Sequence, residues 1–227
     1  MRQHVNPLSQ FFQLPLSLPS KNILFEKSHY PIHLDIGSAK GEFLIELATK
    51  YPDWNFVGLE IREPLVSLCE KKRRKLELTN LKFLFCNVNV SLDEWLSDLD
   101  FGQLKRVSIQ FPDPWFKRKH FKRRVLKTNI LNSIAKAMSK DGEIFIQSDI
   151  FKLIEYMTNT IDENRYFTRK NVGDLRSIDK NPYNVMTDRE IFSLKKNLLI
   201  YRVNYIRNSI LFTIGGENAC TQVNIVT

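Results

Sequence analysis

The sequence predicts an α/β protein built on a doubly wound, mostly parallel sheet with one antiparallel C-terminal strand. Three observations point there. From residue 31 onward, short apolar runs alternate with helical stretches across brief connections, the pattern of repeated β-α-β units. The first five apolar runs each end at a polar residue, in order Asp35, Glu60, Asn87, Asp113 and Asp149, four of them acids. In such sheets ligands bind at the carboxyl ends of the strands, so this row marks one candidate site. Finally, 227 residues at 43% apolar content suffice for one domain with a proper core.

Residues 1–30 read as an irregular, proline-punctuated N-terminal extension, 31–208 as the domain and 209–227 as a C-terminal tail. Pro31–Ile36 is a short buried strand that runs into a glycine turn. Gly41–Lys50 is a helix, because Phe43, Leu44, Leu47 and Ala48 fall on one face. Asn55–Glu60 is the second strand. Arg62–Leu78 is a helix with Leu65, Leu68, Cys69 and Leu76 roughly aligned. Leu81–Cys86 and Leu104–Phe111 are the third and fourth strands. Val125–Met138 is helical and is broken by Asp141-Gly142, after which Glu143–Gln147 is the fifth strand. Phe151–Ile161 is helical, and Leu198–Ile206 returns as the antiparallel strand.

Three cysteines (Cys69, Cys86, Cys220) form no CxxC pair, which argues against a disulfide scaffold or zinc ribbon and fits a reducing, cytoplasmic setting. No apolar run approaches the roughly 20 residues that span a bilayer, so no membrane partner is expected. The Phe/Leu-rich start is interrupted by Gln13, Pro15, Ser17 and Pro19, unlike a signal peptide.

The net charge is +9, and its placement is uneven. Residues 105–127 hold nine basic side chains and one acid, a local +8, whereas the rest balances 25 basic against 24 acidic residues. A local excess of that kind suits a polyanion. The run Lys71–Lys75, flanked by Glu70 and Glu77, reads instead as an ordinary solvated helix face.

Gly37-Ser38-Ala39-Lys40-Gly41 follows the first strand and opens a helix. A dinucleotide turn wants G-x-G-x-x-G, but Ala39 and Glu42 stand where its second and third glycines belong. Glu42 would also put a carboxylate where a phosphate should lie. The spacing here, G-x-A-x-G with Asp35 two residues ahead, resembles instead the shorter G-x-G-x-G first motif of S-adenosylmethionine-dependent methyltransferases, whose cofactor has no phosphate but carries an ammonium and a sulfonium. Glu60, ending the next strand, is placed to accept from both ribose hydroxyls. Asn87 would meet the adenine edge.

Phe111-Pro112-Asp113-Pro114-Trp115 ends the fourth strand, and Lys117-Arg118-Lys119-His120-Phe121-Lys122-Arg123-Arg124 follows at once. Two prolines hold Asp113 rigidly, Trp115 offers a flat stacking surface, and the basic run suits phosphates. His120 lacks ligand partners at metal spacing, so no metal is expected. These residues leave open an exocyclic-amine methyltransferase, a dehydrogenase disfavoured by the failed glycine pattern, and an RNA-binding module without catalysis.

Over residues 31–206 the chain resembles the bacterial-type tRNA (guanine-N7-)-methyltransferase family. The motifs that carry the resemblance are Leu34-Asp35-Ile36-Gly37, Gly58-Leu59-Glu60-Ile61, the Phe111–Trp115 segment with its basic run, Ser148-Asp149 and Thr187-Asp188-Arg189-Glu190. The Arg2–Pro7 opening also looks like an extension seen in some members. The resemblance implies a class I Rossmann-like fold, S-adenosylmethionine as cofactor, tRNA as partner, and methylation at N7 of the variable-loop guanine at tRNA position 46. It also implies roles. Asp35, Gly37, Gly41, Glu60, Asn87 and Asp113 would line the cofactor site, with Asp113 catalytic. Lys117, Asp149, Thr187, Asp188, Arg189 and Glu190 would hold the guanosine. Lys119, His120, Phe121, Lys122, Arg123 and Arg124 would contact RNA. Two positions depart from the family pattern: Ala39 replaces the middle glycine of the turn, and Asn87 stands where an acid is usual.

Overall fold

A computed structural model describes residues 5–170 and 178–211. The strands are β1 (Ile32–Ile36), β2 (Asn55–Glu60), β3 (Leu81–Phe85), β4 (Leu104–Gln110), β5 (Met138–Ser148), β6 (Phe167–Arg169) and β7 (Tyr201–Arg207). They form one sheet in the order β3-β2-β1-β4-β5-β7-β6. The first five are parallel, and β7 runs antiparallel to both β5 and β6. Every residue of β1 and β2 is buried, as expected of strands covered on both faces.

The covering helices divide by face. On one side α2 (Glu42–Lys50) and α3 (Glu63–Lys75) pack Phe43, Leu44, Leu47 and Cys69 against Phe56, Leu81 and Phe83. On the other, α4 (Val88–Ser97), α5 (Thr128–Ala137) and α6 (Phe151–Asp162) bury Leu92, Trp95, Leu131, Ile134 and Ile154 against β1, β4 and β5. Truncating one of these fully buried leucines, Leu34 for example, removes both transfer energy and packing, a loss of about 2–5 kcal/mol.

The expected elements are present, and their differences have simple causes. The strand expected from residue 143 begins at Met138, because Asp141 takes a left-handed φ of 65° and Gly142 tucks against Met138, so the turn residues bend the strand without ending it. Helix α4 was not anticipated, although Val88, Leu92, Trp95 and Leu96 show the right spacing and Asn87 caps it by accepting from the Asn89 amide at 3.2 Å. Strand β6 has only three residues, too few to carry a period. The N-terminal extension, expected to be irregular, contains a 3₁₀ turn (Gln10–Gln13) and the one-turn helix α1 (Lys21–Leu24). Most of the proposed C-terminal tail, with Cys220, lies outside the described residues, as do Arg2, Gln3 and His4.

Candidate active site

The carboxyl ends of β1, β2, β3 and β4 open onto a cavity of about 830 Å³, within the size range of small-ligand sites. Its lining brings together Asp35, Gly37, Gly41, Glu60, Asn87 and Asp113 with Thr187, Asp188, Arg189 and Arg123. Topology explains the convergence. Chain reversal beside β1, between its two neighbours β2 and β4, leaves a crevice there that successive connections cannot fill.

The glycine turn is shaped by backbone demands. Gly37 has φ 88° and nothing within 4 Å of where a Cβ would stand, so its backbone faces open space. Gly41 has φ 76°, and a Cβ there would meet Phe83 Cζ at 2.6 Å and Cys69 Sγ at 2.9 Å, so glycine also lets α2 close on the sheet. Between them Ala39 is left-handed at φ 49°, a conformation that costs an alanine about 1–2 kcal/mol. Its amide donates to Glu60 Oε2 at 3.1 Å.

The two innermost acids are buried. Asp35 accepts from Ser108 Oγ at 2.5 Å and from Gln110 Nε2 at 3.4 Å. Burial pushes its carboxyl up to about 6, against the pull of those two donors, and the Glu60 charge adds to the rise. Glu60 accepts from the Arg62 amide at 3.0 Å and from both sides of the Arg62 guanidinium, at 2.9 and 2.8 Å. Arg62 is held charged by that pairing and by the nearby Asp113 carboxylate. These groups fit a ligand with an ammonium and a vicinal diol: two carboxylates, one exchangeable cation and a glycine turn that leaves its floor clear. Among the described residues no group of three His, Cys, Asp or Glu side chains could hold a metal ion.

Asn87 uses its amide differently from the adenine contact expected of it. Nδ2 donates to the carbonyls of Pro7, at 3.0 Å, and Phe12, at 2.9 Å. This ties the N-terminal segment across the cavity, where Pro7, Phe11 and Phe12 join the lining and both rings lie near Phe85. Sequence reasoning missed this wall, because the contacts join residues 75 and 80 positions apart.

Asp113 sits between two backbone outliers, Phe111 at φ 48° and Trp115 at φ 45°. Each costs on the order of 1–3 kcal/mol and requires the surroundings to hold it. The Phe111 amide is anchored on the Gln147 carbonyl at 2.8 Å, and Arg124 Nε donates to the Pro114 carbonyl at 3.1 Å. Arg124 was expected to reach RNA, but it is only 6% exposed, and its guanidinium lies 3.9 Å from the centre of the Phe121 ring and 4.4 Å from that of Tyr156. Its visible work is to brace the Asp113 loop. Arg123 lies 5.0 Å over the Trp115 ring, and His120 meets the same indole edge-on. Burial and then the cations Arg123, Lys119 and Lys117 lower the His120 pKa. Lys117, Lys119, Phe121 and Lys122 are exposed on the 3₁₀ segment Arg118–Arg123 and its N-cap.

Thr187-x-x-Glu190 begins α7 (Asp188–Lys195): Thr187 Oγ1 accepts from the Glu190 amide at 3.1 Å, as an N-cap should. The Glu190 carboxylate turns inward and is 1% exposed. It pairs with Arg202 at 2.8 Å and accepts from Gln147 and Asn181, both at 3.1 Å. Gln147 in turn donates to Gln110 at 2.7 Å, so a buried polar chain links Glu190 to Asp35. Asp149 pairs with Arg189 at 2.5 Å and accepts from Ser193 at 2.7 Å. Asp188 is exposed and 3.5 Å from Lys40. Lys117, Asp149 and Glu190 do not line the cavity, whereas Thr187, Asp188 and Arg189 do.

A family described as a putative methyltransferase matches residues 29–203. A tRNA (guanine-N(7)-)-methyltransferase of Prochlorococcus marinus (strain NATL1A) is 97% identical over 213 residues, 94% of this chain and 100% of that protein. Another of the same name, from Prochlorococcus marinus (strain MIT 9313), is 53% identical over 92% of this chain and 88% of its own length. Among solved structures, the 16S rRNA methyltransferase KamB superposes with a TM-score of 0.53 at 14% identity, covering 82% of this chain and 92% of that one. A SAM-dependent O-methyltransferase from Thermotoga maritima superposes with a TM-score of 0.50 at 14% identity, covering 88% and 69%. At such identities the two structures speak for the fold alone.

Proposed function

The chain belongs to the tRNA (guanine-N(7)-)-methyltransferase family, and from that premise we propose that its strand-end cavity carries out methyl transfer to N7 of the variable-loop guanine, position 46, of tRNA in the cytoplasm. S-adenosylmethionine is the methyl donor, and when bound it supplies an electrophilic methyl on a sulfonium. Asp35 is suited to accept from the ammonium of that molecule, and Glu60 from its ribose hydroxyls once Arg62 swings aside. Asn87 and the Phe11–Phe12 pair, tied together by a hydrogen bond, belong to the same lining.

Guanine N7 carries a lone pair and no proton, so the residues have no proton to remove from the attacking atom. Their task is alignment and charge. The strained Phe111–Trp115 loop holds Asp113 where a purine would be presented, which makes the reaction largely one of proximity. Methylation leaves the guanine cationic, and the Asp113 carboxylate is suited to stabilise that charge and to accept from the ring's N1 and exocyclic amine. Thr187 and Arg189, the latter paired with Asp149, line the same cavity and are suited to hold the nucleoside. Lys117, Lys119 and Lys122 then meet the phosphates on either side, contacts that position without reading sequence.

The observation that carries this reading is the joint lining of one cavity by Asp35, Glu60, Asp113 and Thr187–Arg189, with the basic segment starting four residues after Asp113. Unmodified tRNA transcript and methyl-labelled cofactor provide the test: strand scission should occur at one methylated guanine, in the variable loop. Label in an exocyclic amine, or scission at another guanine, contradicts it.

A further inference from the structure

We propose that His33 and Ser108 are positioning residues that orient the Asp35 carboxylate toward the cofactor through a one-way chain of hydrogen bonds. The proposal rests on the assignment of Asp35 to the cofactor made above. Ser108 of β4 lies opposite Asp35 of β1 in the ladder, and His33 precedes Asp35 by two residues, on the same face of the strand. Ser108 Oγ is 2.5 Å from Asp35 Oδ1 and 2.9 Å from His33 Nε2. An ionised Asp35 has no proton to give, so the single Ser108 hydroxyl proton goes to the carboxylate. The contact with His33 must then run from Nε2–H into Ser108 Oγ. That fixes the tautomer and leaves Nδ1 as a bare lone pair, which agrees with its having no hydrogen-bond partner.

The setting holds this direction constant. His33 is fully buried among the rings of Phe43, Phe56 and Tyr183. Burial, and then the Arg106 cation from β4, lower its pKa to about 3, so it stays a neutral donor wherever the protein works. The groups acting on Asp35 are Ser108 and Gln110 from β4 and Glu60 from β2. Tyr183, against His33, stays a neutral phenol because burial raises its pKa. A buried imidazole with one orphaned nitrogen is costly, and an apolar side chain would fill the same space without that penalty. Alignment of Asp35 gives the polar choice a use.

The sign of the pH effect follows. Asp35 takes up a proton as pH falls through about 6, and the neutral acid no longer attracts an ammonium. Removing the Ser108 donor destabilises the carboxylate and moves that limb upward, by about one pH unit. The test is calorimetric titration of the full-length protein with S-adenosylhomocysteine between pH 5 and 8.5. Wild type should weaken through the limb near pH 6. Ser108→Ala should bind about fivefold more weakly than wild type at pH 6 and within about twofold at pH 8.5. His33→Leu should move in the same direction by a smaller factor. His33→Gln, which keeps an uncharged N–H donor at the Nε2 position, should follow the wild-type curve. Equal losses at both pH values, no change in either donor-deleting variant, or His33→Gln tracking His33→Leu would overturn the proposal. Wild type that binds at no pH would remove the cofactor assignment itself.

Discussion

At the carboxyl ends of β1 and β2, Asp35 and Glu60 are buried, and donors from three separate segments reach their oxygens. Just beyond the Phe111–Trp115 loop, Lys117, Lys119 and Lys122 project into solvent from a short 3₁₀ segment and its N-cap. On the proposed reading the first region binds by preorganisation: the cost of burying charge is met when the protein folds, and the Asp35 carboxylate is held in place before the ligand arrives. On the same reading the second binds by field, and its cations need only be present and of one sign. The contrast teaches that geometry should matter greatly in the cofactor region and little in the basic one, and that salt should do the reverse.

In the proposed mechanism Asp113 acts with the buried acids, though it is only half-buried. Asp113→Ala should lower kcat by about 10²-fold or more while tRNA affinity holds, because one preorganised charge is lost at the reacting centre. Single-turnover rates beside filter binding check this, and near-normal turnover would place the chemistry elsewhere.

The buried region should also burden the fold. Asp35 has its pKa raised from 3.8 to about 6 in the native state, so the stability it allows below 3.8 is lost as pH rises through 6. Asp35→Asn should therefore stabilise the protein by on the order of 2–3 kcal/mol at pH 8 and by almost nothing at pH 4. It should abolish tight cofactor binding at the same time. Urea unfolding at the two pH values separates this from a general packing effect, which would be equal at both.

In the exposed region, Lys119→Glu with Lys122→Glu should weaken tRNA binding about tenfold near 0.1 M salt and flatten its salt dependence by about one unit of slope per lost phosphate contact. The smallest effect is expected where the regions meet the N-terminal segment. Asn87→Ala frees the Pro7 and Phe12 carbonyls and should weaken cofactor binding about fivefold. Hydrogen exchange near residues 8–14 should rise in step, and an unchanged exchange pattern would separate Asn87 from that wall.

The regions also differ in how much of them was legible beforehand. The β-α-β order and the acids that end β1, β2 and β4 follow from local pattern, since a strand-end position is a property of a few neighbouring residues. The density of charge from Lys105 to Lys127 is equally local. What composition conceals is direction. Arg124 counts as one more cation in the sequence, yet it packs between Phe121 and Tyr156 under the Pro114 carbonyl. Glu190 reads as a ligand in a motif, while its carboxylate points into the Gln147, Asn181 and Arg202 cluster. The Phe11–Phe12 wall depends on a contact with Asn87 from far along the chain, and no window of sequence contains both partners.

The division of labour is tested most directly by crossed binding: S-adenosylhomocysteine titrated into the Lys119→Glu/Lys122→Glu protein, and salt-dependent tRNA binding measured with Asp35→Asn. Each variant should lose one ligand and keep the other within about twofold of wild type. If either variant loses both ligands together, the cavity and the basic segment are not separate instruments, and the account is contradicted.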